Sequence, residues 1–169
     1  MKTDAKSPGR RAERVINEAK NRGTTIVTAE SCTAGALAQL LANTPGAGDV
    51  FHGAFVVYSK DQKTTALGVP AALIAEHSAV SAAVATAMAE AALSRSPADL
   101  AVSVTGVLGP EPDEDGNPVG LVYLAMAKRN GFVQSYEGRF GDGPQDEICA
   151  AILDKALILL DEGLTTGDR

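Results

Sequence analysis

Thr24-Thr25-Ile26-Val27-Thr28-Ala29-Glu30-Ser31-Cys32-Thr33-Ala34-Gly35, running into Ala36-Leu37-Ala38-Gln39-Leu40-Leu41-Ala42, is the stretch from which the fold can be read. Residues 24–29 are a short β-branched run of the kind that forms a buried strand, and residues 36–42 are helical in composition. The polar segment between them, residues 30–35, has room only for a tight turn. Strand, turn and helix in direct succession make the unit from which α/β domains are assembled.

The same alternation extends outward in both directions. Upstream, residues 10–22 place Ala12, Val15, Ile16 and Ala19 on one helical face, and Gly23 supplies a stop. Downstream, Asn43-Thr44-Pro45-Gly46-Ala47-Gly48 is loop chemistry, and residues 50–59 have the content of a second strand with Tyr58 at its end. Asp61 is placed to cap a short helix reaching Leu67, closed by Gly68. Residues 80–94 repeat Val80, Val84 and Met88 at helical spacing and predict a long amphipathic helix.

Residues 99–104 are almost continuously apolar, as in a central strand covered on both faces, and lead into Thr105-Gly106-Val107-Leu108-Gly109-Pro110. Residues 119–128 and 132–140 flank Asn130-Gly131, a hairpin signal that predicts an antiparallel pair and therefore a mixed sheet. Pro144 opens a last helix through Leu160 with Ile148, Ala151, Ile152, Lys155, Ala156 and Leu159 on one side, and residues 165–169 read as a frayed tail. Strands alternating with enough helices for both faces predict an α/β fold, a three-layer α/β/α sandwich with a mixed sheet. One domain over residues 1–169 is expected, its core at about 10–162 between flexible termini.

Composition narrows the function. The chain has 169 residues, 45% of them hydrophobic and 21% charged, enough to bury a core without disulfides or metals. A formal net charge of -6 argues against a protein that grips nucleic acid, while leaving a small anionic substrate allowed. The basic residues between Lys2 and Arg22 are interrupted by Asp4, Glu13 and Glu18 and read as a solvated helix. With neither a secretory signal nor a membrane-length apolar run, a cytoplasmic protein that does not enter a membrane is expected.

Cys32 and Cys149 lie far apart without ligand-like spacing and read as thiols, so no metal site is expected. The Asp113-Glu114-Asp115-Gly116 run resembles the start of a calcium loop, but Leu124 stands where a bidentate Glu is required. Neither GxxxxGK[ST] nor GxGxxG occurs, and no motif requires a cofactor.

In sheets of this class ligands gather where strand ends feed loops, and three polar loops qualify here: residues 30–35, 58–63 and 105–117. Ser31 sits where a strand turns into a helix, so its hydroxyl can be presented at the sheet end with the following amides directed at an oxyanion. Equally, Ser31 or Thr33 can serve as an ordinary helix cap. The two histidines, His52 and His77, sit in segments without a triad signature, which leaves Lys63 as the base for a Ser-Lys pair. A lysine in that role needs burial to bring its pKa from about 10.4 to near 7; a solvated helix lysine is the plain alternative. Cys32 is a rival nucleophile on the same turn, or a core thiol. Gly106, Gly109 and Asn117 belong to a flexible polar loop whose amides can approach a phosphate closely.

Three segments taken together resemble the CinA carboxy-terminal domain family: Ala29-Glu30-Ser31-Cys32-Thr33-Ala34-Gly35; Val57-Tyr58-Ser59-Lys60-Asp61-Gln62-Lys63 with Leu67-Gly68-Val69; and Thr105-Gly106-Val107-Leu108-Gly109-Pro110. The likeness runs in order from about Val15 to Leu160 and is to the stand-alone form, without the amino-terminal domain of longer CinA proteins. It implies an amidohydrolase converting nicotinamide mononucleotide and water to nicotinate mononucleotide and ammonia, in pyridine-nucleotide salvage, without a cofactor. By that resemblance Ser31 is the nucleophile, Lys63 its base, and Tyr58 and Thr105 further catalytic residues. Glu30, Thr33, Gly35, Gly106, Gly109 and Asn117 are the candidate substrate-binding residues. The partner implied is a small nucleotide substrate, and a homo-oligomer is in keeping with the family.

The sequence departs from the family pattern at identifiable places. Ala34 stands where Gly is usual, Lys60 where Asn is usual, Leu108 where Ala is usual and Gly143 where an Arg is expected, and residues 111–115 are acidic where glycine is common. Two other functions are therefore carried alongside the first. One is a non-catalytic module binding a nucleotide or a protein partner, linked to competence and DNA damage; the other is an amidase for another small amide.

Overall fold

The computed structural model describes residues 8–166; of the ends expected to be flexible outside about 10–162, residues 1–7 and 167–169 lie outside the described residues, whereas residues 8–9 and 163–165 are helical. In chain order the elements are α1 (Pro8–Arg22), β1 (Ile26–Glu30), α2 (Ala36–Ala42), a 3-10 turn (Ala47–Asp49), β2 (Phe51–Val56), α3 (Lys60–Thr65), α4 (Ala71–His77), α5 (Ala82–Ser94), β3 (Leu100–Gly106), β4 (Leu121–Lys128), β5 (Val133–Arg139) and α6 (Gln145–Thr165). The strands form one mixed sheet in the order β2-β1-β3-β4-β5. β1 runs parallel to both β2 and β3, and the β3–β4 and β4–β5 pairs are antiparallel, as the Asn130-Gly131 hairpin requires.

Side-chain alternation divides the sheet into two dissimilar faces. One carries Ile26, Leu100, Val102, Val104, Val122, Leu124 and Met126, and packs against apolar residues of α1, α2 and α6. The other carries Val27, Ala29, Ala101, Ala125 and Ala127 and packs against Val84, Ala85, Met88, Ala89 and Ala92 of α5. Small residues meeting small residues bring α5 close to the sheet. The hydroxyl of Ser103 takes advantage of this, donating to the Ala85 carbonyl at 2.5 Å. β1 and all but the last residue of β3 are buried on both faces, which is why their sequences show no alternation of apolar and exposed polar residues; their polar members Thr28, Glu30, Ser103 and Thr105 are buried too.

Several elements differ from the sequence-based expectation. β2 is an edge strand that ends at Val56 rather than Tyr58, with alternate residues exposed. The cap of α3 is Ser59, whose Oγ accepts the Gln62 amide at 3.1 Å; Asp61 lies inside the first turn. α4 was not expected, although Pro70 before an Ala-rich segment is a helix-start signal. Ser81 caps α5, so Val80 precedes it. On α6, Ala151 is exposed and Lys155 half-buried, and the helix continues past Leu160 because Gly163 and Leu164 are buried. A Cβ on Gly163 would lie 2.9 Å from Leu100 Cδ1, so glycine permits this close crossing over the sheet.

Ala125→Leu, which forces a larger side chain between β4 and α5, is expected to destabilise the protein by about 2–3 kcal/mol. Denaturant unfolding measures this, and an unchanged midpoint would show that the interface has room to spare.

Candidate active site

Parallel pairing of β1 with its two neighbours brings three chain segments to one end of the sheet. Glu30 lies opposite both Val56 and Val104, so the residues that follow each of these emerge side by side. This is the point at which successive connections leave the sheet in opposite directions, where α/β proteins form crevices. A cavity of about 570 Å³ opens there, its walls including Ser31, Cys32, Tyr58, Lys60, Lys63, Thr105, Gly106, Leu108 and Gly109.

The first turn is organised by Glu30, whose side chain is fully buried. Its Oε2 accepts from Thr33 Oγ1 at 2.7 Å and from the amides of Gly35 and Leu37 at 3.1 Å each. Its Oε1 accepts from the Ala38 amide at 2.8 Å and from Thr28 Oγ1 at 3.2 Å. The carboxylate thus caps α2 from outside the helix, taking the donors that Ser31 or Thr33 would otherwise satisfy. Gly35 (φ 94°) and Ala34 (φ 50°) both adopt left-handed backbone, which accounts for a glycine preference at position 34.

With Glu30 holding the turn, Ser31 is left at the sheet end, 5% exposed, its amide donating to the Val104 carbonyl at 3.0 Å. Lys63 Nζ lies 2.8 Å from Ser31 Oγ and donates to the carbonyls of Val57 at 3.2 Å and Tyr58 at 3.3 Å. Lys63 is 2% exposed, the only buried residue of α3. Its pKa is lowered from 10.5 to about 8, chiefly by burial, with Cys32 opposing the shift and the Lys60 charge adding to it. A neutral lysine has two N–H donors and one lone pair. As an ammonium Nζ donates to Ser31 Oγ as well, and the Ser31 hydroxyl donates to the Tyr58 carbonyl at 3.3 Å; once Nζ has lost its third proton and the two carbonyls hold the remaining N–H groups, its lone pair is available to the Ser31 hydroxyl.

Cys32 shares the turn, but burial, followed by the influence of Cys149, pushes its thiol up to about 12. At neutral pH it is a protonated thiol packed beside the core, and a poor nucleophile.

The remaining candidates are placed unevenly. Tyr58 contributes its backbone carbonyl, while its side chain is 72% exposed. Thr105 lies on the cavity wall, 1% exposed, with its hydroxyl donating to the Ala79 carbonyl at 2.8 Å. That bond pins the segment ahead of α5 to the end of β3. Gly106 and Gly109 line the cavity; a Cβ on Gly106 would lie 2.7 Å from the Leu121 carbonyl, so the close approach of β4 requires glycine.

Glu30, Thr33, Gly35 and Asn117 are not brought to the cavity wall. The first three are engaged in the carboxylate-capped turn. Asn117 Nδ2 donates to Asp113 Oδ2 at 2.8 Å and Ser78 Oγ at 3.1 Å, which shapes the loop instead. Gly143 is also off the wall, and a Cβ there would have nothing within 4 Å.

Sequence reasoning did not single out Lys60 or Ser78 as parts of the site. Lys60 Nζ meets Glu114 Oε1 at 2.7 Å and Asp115 Oδ2 at 2.9 Å, and hydrogen bonds to Glu114 and Asp115 raise its pKa. Ser78 Oγ donates to Asp115 Oδ2 at 2.7 Å. Two departures from the family pattern, Lys60 and the acidic loop, are thus a single feature in space. Among the described residues no group of His, Cys, Asp and Glu is arranged to hold a metal ion, and no helix is long and apolar enough to cross a membrane.

The model of the CinA C-terminal domain matches residues 9–164. The chain belongs to this family. A CinA-like protein from Geobacter sulfurreducens is 45% identical over 130 residues, which cover 76% of this chain and 31% of that protein. The match to a relative from Caldicellulosiruptor bescii covers 28% of its length, so the chain spans under a third of these curated relatives. Solved structures match more fully. The competence/damage inducible protein CihA from Agrobacterium tumefaciens is 40% identical with a TM-score of 0.89, covering 94% of this chain and 96% of that one. A CinA superfamily protein from Klebsiella pneumoniae is 33% identical with a TM-score of 0.90, covering 95% of this chain and 99% of that one. The α/β fold with its mixed sheet is that of these CinA superfamily proteins.

Glu30→Ala would leave five buried donors without their acceptor. It is expected to destabilise this CinA-family protein by at least about 3 kcal/mol, read from thermal unfolding; a loss below 1 kcal/mol would show that the turn has other support.

Proposed function

We propose that this chain is an amidohydrolase in which Ser31 attacks a small carboxamide and Lys63 carries the proton, with nicotinamide mononucleotide as the substrate. The observation that carries the reading is the buried Lys63 Nζ, 2.8 Å from Ser31 Oγ, with its pKa lowered to about 8. Burying a lysine against two carbonyls costs about 3 kcal/mol in proton affinity, a burden with a direct use if the amine must accept a proton. The substrate comes from the family resemblance. Its carboxamide sits on a cationic pyridinium ring, which suits a cavity whose lining includes Asp61, Glu111 and Asp113.

In this mechanism neutral Lys63 takes the Ser31 hydroxyl proton as Oγ bonds to the carboxamide carbon. The Ser31 amide is occupied by the Val104 carbonyl, so amides that follow it in the turn are the candidates to receive the oxyanion. Collapse of the tetrahedral intermediate breaks the C–N bond, and the Lys63 proton leaves with ammonia. Water then attacks the acyl ester as Lys63 takes its proton; Lys63 returns that proton to Ser31 Oγ as the bond between Oγ and the acyl carbon breaks, which releases the acid and restores Ser31 and the neutral amine. The reaction stays in the cytoplasm on this reading, and Thr105 acts by positioning Ala79 on the cavity wall.

Ser31→Ala should reduce ammonia release from nicotinamide mononucleotide by at least about 10³-fold, while Cys32→Ala retains most of the activity. Loss in both variants would point to the turn rather than the hydroxyl, and no turnover in the native protein would favour the binding module. Lys63 is active as the neutral amine, so kcat/KM should rise with pH through about 8 and level off above it. Lys63→Arg, which keeps the charge but cannot lose a proton, should be inactive across the range. A profile flat between pH 6 and 9 would remove Lys63 as the base.

A further inference from the structure

Of the two lysines on the cavity wall, Lys63 is turned to Ser31 and to two carbonyls. Lys60, at the start of the same helix, is the other, and no arginine lines the cavity among the described residues. An anionic group entering the cavity therefore has one cation to meet. That cation is already paired, with Glu114 Oε1 at 2.7 Å and Asp115 Oδ2 at 2.9 Å.

The pairing is of a kind that exchanges easily. The Lys60 side chain is 39% exposed and that of Glu114 72%, so water screens the attraction and replaces either partner at little cost. The loop keeps its shape without Lys60. Asp113 Oδ1 accepts the amides of Asp115 at 3.0 Å and Asn117 at 2.8 Å, and Ser78 Oγ holds the Asp115 carboxylate independently. Lys60 is thus a partly exposed ammonium on the wall of the same cavity as Ser31, held by two carboxylates whose loop has hydrogen bonds of its own.

We propose that Lys60 anchors the phosphate of the substrate, and that an entering phosphate monoester takes it from Glu114 and Asp115. The identity of the substrate rests on the amidase reading; the anchor itself does not. A phosphate monoester carries close to two negative charges at neutral pH, more than either carboxylate, and three acceptor oxygens for an ammonium with three donors. Glu114 and Asp115 act as internal competitors. They lower the affinity for a phosphate and leave an amide without one unaffected, so the loop sets the preference between nucleotide and nucleoside.

The test compares KM for nicotinamide mononucleotide and for nicotinamide riboside, which lacks the phosphate, in three proteins. These are the native chain, Lys60→Gln, and the double variant Glu114→Gln with Asp115→Asn. At a pH above the Lys63 titration, where loss of the Lys60 charge does not alter the fraction of neutral Lys63, Lys60→Gln should raise KM for the nucleotide by about tenfold with kcat little changed, and shift the riboside KM by less than about threefold. The double variant moves the other way, lowering KM for the nucleotide by about threefold, and this opposite sign separates an anchor from a strut that merely holds the loop. Equal loss on both substrates in Lys60→Gln, no change on either, or a double variant that leaves the nucleotide KM unchanged or higher would overturn the proposal. If neither compound is hydrolysed, the amidase reading fails, and the same comparison made as calorimetric binding decides the anchor. There, nucleotide binding indifferent to Lys60→Gln, or no nucleotide binding at all, overturns it.

Discussion

Glu30 ends β1 with a carboxylate cut off from solvent, and the rest of the site follows from how that group is satisfied. An isolated buried carboxylate is among the costliest groups a core can hold. Here five donors converge on it, three of them amides at the start of α2. To deliver those donors the chain must double back immediately after the strand, through left-handed backbone at Ala34 and Gly35. Ser31 is the residue left at the sheet end by that reversal. The amides of Gly35, Leu37 and Ala38 at the start of α2 are thereby occupied internally instead of being turned towards a ligand.

A second buried charge-bearing group completes the pair. Lys63 is drawn in because α3 begins directly after the edge strand, so that one turn into the helix its stem lies beneath the Val57 and Tyr58 carbonyls. The carbonyls satisfy two donors, while burial lowers the proton affinity of the amine well below that of a solvated lysine. Stability and chemistry pull against each other here. A hydrocarbon side chain would fill the same space without the desolvation penalty, and its absence is what makes this position informative.

The mouth of the cavity obeys different physics. Lys60, Glu114 and Asp115 are exposed enough for water and salt to compete, so their pairing adds little to stability. The same exposure makes the mouth the part of the site most open to exchange with a ligand. The rigid interior, by contrast, is shared in fold with the Agrobacterium tumefaciens and Klebsiella pneumoniae proteins. The loop between β3 and β4 is acidic in this chain, and the structure pairs that acidity with a lysine on the facing helix.

Much of this was legible in the sequence, and for identifiable reasons. Local patterns settled the strands that are buried on both faces, the α2 boundaries, and the hairpin turning at Asn130-Gly131, because periodicity and turn chemistry are properties of neighbouring residues. The edge strand was overextended, since a half-exposed strand merges into loop composition. α4 was missed because an Ala-rich segment of seven residues has little periodicity to detect. The side chain of Lys63 could be named from its motif, but its burial could not, since the carbonyls and core that enclose it come from elsewhere in the chain. Glu30 and Thr33 belonged to the motif and yet turned inward, because only the folded turn shows which donors a carboxylate reaches. Lys60 meeting Glu114 and Asp115 lay furthest from view. Sequence alone determined the fold class and named candidate side chains; the tertiary structure decided which of them are desolvated and face one another, because burial and long-range pairing depend on segments that meet only when the sheet has formed.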